Sequence, residues 1–295
     1  DDLTIAQSFE ITAEKLQEIV RDFDIKAKNQ RNQRVKPGLD DKTLTSWNAL
    51  TSKGLVDMYL ATGDEDALAI AKSNLDFLTS IQMRNDGGLW HSYKGGKSSI
   101  NGYLEDYASL IYALLRYYEA TFDIDAILTI KKLVEYVFEH FDQTPNGMLY
   151  FKSKDDEALV AKKSEIKDNV IPASNSILAT CFYKLGLLLA DDSLLSLSST
   201  MLAQVESSFA GYPSGYSQWM MLHHYRSSNF FEVAIVGNQW LEKHQDFQSY
   251  YLPNVLFCGG DKTDGIPILE HKLVEDKTLV YVCKHGACQA PTTKV

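Results

Sequence analysis

Positive charge is in short supply: 29 Lys and Arg stand against 39 Asp and Glu, a formal charge of −10. No basic block offsets the deficit, which excludes a nucleic-acid surface built on lysine and arginine. No run approaches the roughly 18 apolar residues of a membrane-spanning helix. The opening Asp1-Asp2-Leu3-Thr4 lacks the basic and apolar regions of a signal peptide. Four cysteines in 295 residues are too few for a disulfide scaffold, so a reduced, cytoplasmic protein is the expectation. Neither a Gly-x-Gly-x-x-Gly turn nor a Walker loop is present to cradle phosphate. No Gly-x-Ser-x-Gly elbow supports a serine nucleophile. What remains is apolar material, 45% hydrophobic, enough for one large domain or two of average size.

Helical periodicity dominates from about Ile11 to Arg226. Tyr103, Tyr107, Leu110, Ile111, Leu114, Leu115 and Tyr118 follow the i, i+3, i+4, i+7 pattern, as do Ile127, Ile130, Val134 and Val137. So do Ala67, Ile70, Asn74, Phe77, Leu78 and Ile81. Helices ending near Ile81 and Phe141 each run into an Asx-Gly turn and a Gly-x-aromatic stretch, Asp86 to Tyr93 and Pro145 to Phe151. Both read as short β-hairpin arms. New helices start at Trp47-Asn48, Asp106-Tyr107 and Ser174-Asn175, roughly 60 to 70 residues apart. Arms at one end of successive helix pairs predict an α/α toroid whose inner helices ring a funnel, spanning residues 1–229. After Phe230, three short apolar runs and one helical stretch predict a small α/β appendage over 230–295, packed on the toroid.

Three stretches carry a resemblance: Asp40-Asp41-Lys42-Thr43-Leu44-Thr45-Ser46-Trp47-Asn48, Gly102-Tyr103-Leu104-Glu105-Asp106-Tyr107-Ala108, and Tyr281-Val282-Cys283 with Cys288-Gln289-Ala290-Pro291. They are similar to the YyaL family, whose animal members are spermatogenesis-associated proteins with a thioredoxin-like domain. The resemblance implies a mainly α fold, a partial or complete (α/α)6-type toroid related to N-acylglucosamine 2-epimerases and six-hairpin glycosidases. It further implies that this chain is a C-terminal part that lacks the first toroid helices, with a thioredoxin-like domain of the full-length protein as a partner.

Polar residues gather at the three helix starts. Asp40 and Asp41 with Trp47 and Asn48 suit a sugar site, where carboxylates bind hydroxyls or move protons and an aromatic stacks on the ring. The plainer alternative is that both aspartates stabilise a helix N-terminus. Glu105, Asp106 and Tyr107 repeat the pattern after a glycine, and Ser174 and Asn175, preceded by Asp168, repeat it again; capping is the alternative for each. Asp106, Glu105 and Asp41 are the candidate catalytic residues. Asp40, Trp47, Asn48, Trp90, Tyr93, Tyr107, Ser174 and Asn175 are the candidate sugar-binding residues, with no metal and no cofactor expected.

Glycosidase chemistry needs two carboxyl groups at a set separation, about 5 to 5.5 Å for retention or 6.5 to 9.5 Å for inversion. Epimerases of the related family use histidines, because an imidazole works in both directions near neutrality. His91 falls in a hairpin arm, and His223 and His224 point about 100° apart on a helix; none stands inside the three motif clusters. Cys283 and Cys288 are spaced as neither a redox pair nor an obvious zinc site, and are expected to be buried or half-buried thiols. Two functions follow: a carbohydrate-active enzyme working by acid/base hydrolysis, isomerisation or epimerisation, or a non-catalytic glycan-, metabolite- or protein-binding scaffold serving a thioredoxin-like domain.

Overall fold

The computed structural model describes residues 1–157, 161–263 and 265–294. Two compact units divide the chain, Asp1–Asp41 and Lys42–Val295. The first unit holds α1 (Asp2–Ser8) and α2 (Ala13–Asn32), capped by the side chains of Asp1 and Thr12. No helix among the described residues is long and apolar enough to cross a membrane.

The second unit opens with β1 (Thr43–Leu44), α3 (Thr45–Thr62) and α4 (Glu65–Phe77), the last running into a π-helical turn, Leu78–Gln82. Then come β2 (Trp90–Lys94), β3 (Lys97–Asn101), α5 (Leu104–Thr121), α6 (Ile124–His140), α7 (Ser174–Leu189), α8 (Asp192–Ala203) and α9 (Ser217–Ser227). Helices α3, α5 and α7 are inner helices: α3 packs on α5, α5 on α7 and α7 on α9, while α4, α6 and α8 each back their predecessor. This is the toroid architecture, three helical hairpins and half of a fourth among the described residues.

The three hairpin turns share one construction. Each inner helix ends on a left-handed residue, Gly63, Phe122 or Ala190. An aspartate follows each and caps the outer helix: Asp64 accepts from Asp66 and Ala67 N–H, Asp123 from Asp125 N–H, and Asp191 from Ser193 and Leu194 N–H. These caps satisfy donors that a helix start would otherwise leave open.

The arms repeat as well. Met83 bridges to Leu89 and Gln143 to Leu149, each across a turn closed by a positive-φ glycine, Gly87 at 89° and Gly147 at 81°. The first arm continues into the β2–β3 hairpin, with β1 on its other edge in the order β1-β2-β3. The second stays a single bridge, because the Phe151 carbonyl instead accepts from Leu104 N–H at 2.9 Å.

Residues 230–295 contain β4 (Phe231–Val236), α10 (Trp240–Gln248), β5 (Val255–Gly260), β6 (Leu279–Lys284) and β7 (Ala287–Cys288). The sheet order is β5-β4-β6-β7, with β4 and β5 parallel across α10 and the other pairs antiparallel. Strand β5 packs on α5. Gly259 permits the close approach on both sides: a Cβ there would lie 1.9 Å from the Ile235 carbonyl oxygen of β4 and 2.9 Å from the ring of Phe122 at the end of α5.

One sequence expectation is corrected. Cys283 and Cys288 are not thiols but a disulfide, S–S 2.03 Å, joining directly paired positions of β6 and β7. Strand pairing brings the two Cβ atoms together, which spacing alone did not reveal. Cys181 and Cys258 are the buried free thiols, and burial pushes the Cys181 pKa up to about 12.

Candidate functional site at the inner-helix N-termini

The N-termini of α3, α5 and α7 meet at one end of the second unit, and buried side chains stitch them together. Asp106, third residue of α5, reaches back to accept from the Tyr103 N–H at 2.9 Å. Its other oxygen accepts from Ser46 N–H, in the first turn of α3, at 3.0 Å. Asn175, at the start of α7, grips the second arm by accepting from Leu149 N–H (2.8 Å) and donating to the Leu149 carbonyl (3.0 Å). That arm then meets α5 through the Phe151–Leu104 bond. Glu165 accepts from the Ser174 N–H at 3.0 Å and from the Ser174 hydroxyl.

The first arm delivers a histidine into this junction. The hydroxyl of Tyr107 accepts from Leu89 N–H at 2.7 Å, and Thr45 donates to the Trp90 carbonyl at 2.6 Å, so the base of β2 is fixed to both α5 and α3. The next residue, His91, places Nδ1 2.9 Å from the Asp106 carboxylate. Tyr103 lies edge-on to the imidazole, ring centroids 4.9 Å apart. Both Asp106 oxygens already accept from backbone N–H groups, so its natural partner is an Nδ1–H of His91. That fixes the tautomer and leaves Nε2, which has no partner among the described residues, as the working nitrogen.

The electrostatics set three groups against each other. The hydrogen bond to Asp106 pushes the His91 pKa up from its ordinary value, against the pull of burial. Burial pushes the Asp106 carboxyl up, while His91 and the two backbone donors oppose it. Glu105 is half-buried, and its pKa is raised by burial and then by the carboxylates of Asp106 and Glu165. Donor atoms of His91, Glu105 and Asp106 all lie within 4.8 Å of one another. A cation there would compete with three N–H donors for Asp106, so the donor set suits proton transfer better than metal binding.

The structure gathers some expected residues and separates others. Glu105 and Asp106 stand at the junction, Asp106 wholly buried. Tyr107, Ser174 and Asn175 are there too, but their polar groups are spent on the arms and on Glu165. Asn48 donates to the Leu44 carbonyl at 2.9 Å. Trp47 is 62% exposed at the start of α3, free to stack. Trp90 is half-buried under the Arg84 guanidinium, 5.0 Å from its ring, and Tyr93 packs edge-on against Phe77. Asp40 and Asp41 belong to the first unit.

Sequence reasoning missed His91 as the partner of Asp106, and missed Glu165. Asp168 supplies a useful contrast: it accepts from Ala173 N–H, the Ser176 hydroxyl and Gln218 N–H, joining α7 to α9 as Asp106 joins α5 to α3, but without a histidine.

No protein-family model matches the chain. The chain is similar to spermatogenesis-associated protein 20 sequences, in agreement with the motif resemblance. The human protein is 22% identical over 99% of this chain and 41% of its own length. An uncharacterized protein of Caenorhabditis elegans is 36% identical over 50% of this chain and 21% of its own length. The chain thus spans less than half of these curated relatives. Among solved structures, a GH76 α-mannanase of Bacteroides thetaiotaomicron superposes with a TM-score of 0.51 at 18% identity, covering 74% of this chain and 58% of that one. That likeness establishes the toroid fold.

Proposed function

We propose that this chain, similar to spermatogenesis-associated protein 20, is a carbohydrate-active protein whose site is the junction of the α3, α5 and α7 N-termini. His91 and Glu105 move the proton, and Asp106 positions His91. The observation that carries the reading is the 2.9 Å bond between His91 Nδ1 and a buried carboxylate. A buried anion that orients one ring nitrogen and raises the imidazole pKa prepares the other nitrogen for general acid/base work. Glu105, its own pKa raised, supplies the complementary group beside it. Such a pair favours sugar isomerisation or epimerisation, where a carbon-bound proton is taken and returned. Hydrolysis is the alternative, with Glu105 and Glu165 as the carboxyl pair.

Trp47 is the aromatic we assign to stacking on the sugar, because its exposure leaves a ring face free. The chemistry needs no cofactor. A second reading, a non-catalytic binding scaffold serving a thioredoxin-like domain, draws on Asp168, which performs the same stitching with no histidine beside it. Calorimetry with a panel of aldoses and reducing disaccharides tests the site. Binding that is lost in Trp47→Ala and weakened in Glu105→Gln is expected, and binding untouched by both variants would move the site elsewhere.

A further inference from the structure

A second polar cluster lies deeper along the inner helices, where the function proposed above has no use for it. Arg116 is ten residues beyond Asp106 on α5, about 15 Å along the helix axis. Its Nε donates to Asp57 of α3 at 2.7 Å and its Nη1 to Glu119 at 3.1 Å. Asp57 also takes Lys53 at 2.6 Å, and Glu119 takes Lys184 of α7 at 2.7 Å. The result is one alternating chain, Lys53–Asp57–Arg116–Glu119–Lys184, spanning three inner helices. Glu119 is 1% and Lys184 12% exposed.

Three cations against two carboxylates leave one positive charge without a counterion. Lys53, Asp57 and Arg116 are partly exposed, but at the buried Glu119–Lys184 end an uncompensated positive charge is expensive. Donors also remain: Lys184 and Arg116 carry three and five N–H groups, of which the carboxylates engage only some. These side chains line a cavity of about 200 Å³ together with Leu252, Pro253, Tyr112 and Tyr225. At about 30 Å³ per water, that space equals roughly six waters, room for a group of four or five heavy atoms.

We infer that this cavity binds a small oxyanion of single negative charge, a carboxylate or a monoanionic phosphate, which completes the charge balance of the Lys53–Lys184 chain. The oxyanion would take the open N–H donors of Arg116 and Lys184 in charge-assisted hydrogen bonds. The assignment rests on this cluster alone and stands or falls independently of His91.

Thermal unfolding and calorimetry at pH 6, at constant ionic strength, test it with acetate, phosphate and chloride as separate titrants. Acetate, phosphate or both should raise the melting temperature saturably and bind with measurable heat, and chloride should not. The acetate and phosphate arms tell the two chemistries apart. Lys53→Gln, at the more exposed end of the chain, makes the cluster neutral and should weaken binding at least about tenfold. Leu252→Trp, which enlarges a lining side chain without removing a charge, should abolish it, and decides the matter if Lys53→Gln fails to fold. Equal responses to all three salts, or an unchanged response in Leu252→Trp, would overturn the assignment and leave the chain of ion pairs as a tie between helices.

Discussion

Asp106→Asn is the most informative single change at the junction, because it keeps the shape and removes the charge. The carboxylate accepts three N–H groups: Ser46 on one oxygen, Tyr103 and His91 on the other. An amide offers one oxygen. Whichever way it turns, its NH2 faces a backbone N–H, either that of Ser46 or that of Tyr103. One buried donor is then unpaired, at a cost of about 1–3 kcal/mol, or a fall in melting temperature of roughly 2–4 °C per kcal/mol. His91 also loses the anion that raises its pKa, so its imidazole should titrate closer to the ordinary value of about 6.5. The sign follows from linkage. A raised histidine pKa adds stability that is complete below the unfolded value and is lost as pH rises through the folded one. The substitution should flatten that slope. Denaturant unfolding across pH measures the stability, and an NMR titration, with His91→Asn identifying the resonance, measures the pKa. A His91 pKa that stays put in Asp106→Asn would refute the pairing, even if stability drops.

Other substitutions probe neighbouring parts. Tyr107→Phe strands the Leu89 N–H, and should cost about 1–3 kcal/mol in denaturant unfolding; a change below about 0.5 kcal/mol would mean that the hydroxyl does not hold the arm. Trp47→Ala should leave stability within about 0.5 kcal/mol, since the ring is already exposed, while sugar affinity disappears in calorimetry. His244 on α10 is buried with neither ring nitrogen paired among the described residues, and burial lowers its pKa to about 4. As pH falls from about 6.5 to 4 the unfolded chain takes up a proton that the folded one refuses, so about 3 kcal/mol of stability should be lost. His244→Leu should abolish that slope in unfolding curves taken across pH, and a slope unchanged in this variant would place its origin elsewhere.

The helical body was readable because long stripes at helical spacing bury one face, as in α5 and α6, and because Asx-Gly pairs mark the arms. Finer features were hidden for identifiable reasons. The stripe of α4 was read only in part: Ala67 and Leu78 are buried as expected, but Ala71 and Leu75 face the core while Ile70 and Ile81 are exposed. Two of the three hairpin turns end on Phe122 and Ala190 rather than glycine, and neither residue advertises a left-handed conformation. Phe122 accepts that backbone while its ring packs on Trp240 and His244. At the site, Asp106 and Glu105 were legible as acidic residues at a helix start. Their partners were not. His91 reaches Asp106 only because the β2–β3 hairpin folds back on α5, and Glu165 reaches Ser174 from a loop without regular structure. The cysteine pair needed the β6–β7 register, which five residues of spacing do not specify.

The most direct test of the account is proton exchange at a sugar carbon. The protein is incubated with each member of the aldose and disaccharide panel in D2O, and the carbon-bound protons next to the carbonyl are followed by 1H NMR, which also reads new sugar isomers and new reducing ends. The account predicts loss of that proton signal with at least one sugar, together with isomer formation, in the native protein. It predicts that His91→Asn abolishes the exchange and that Asp106→Asn reduces it by at least about a hundredfold, the usual contribution of a positioned acid/base group. Exchange that persists in His91→Asn, or no exchange with any sugar that calorimetry shows to bind, would contradict the assignment of His91 as the proton carrier.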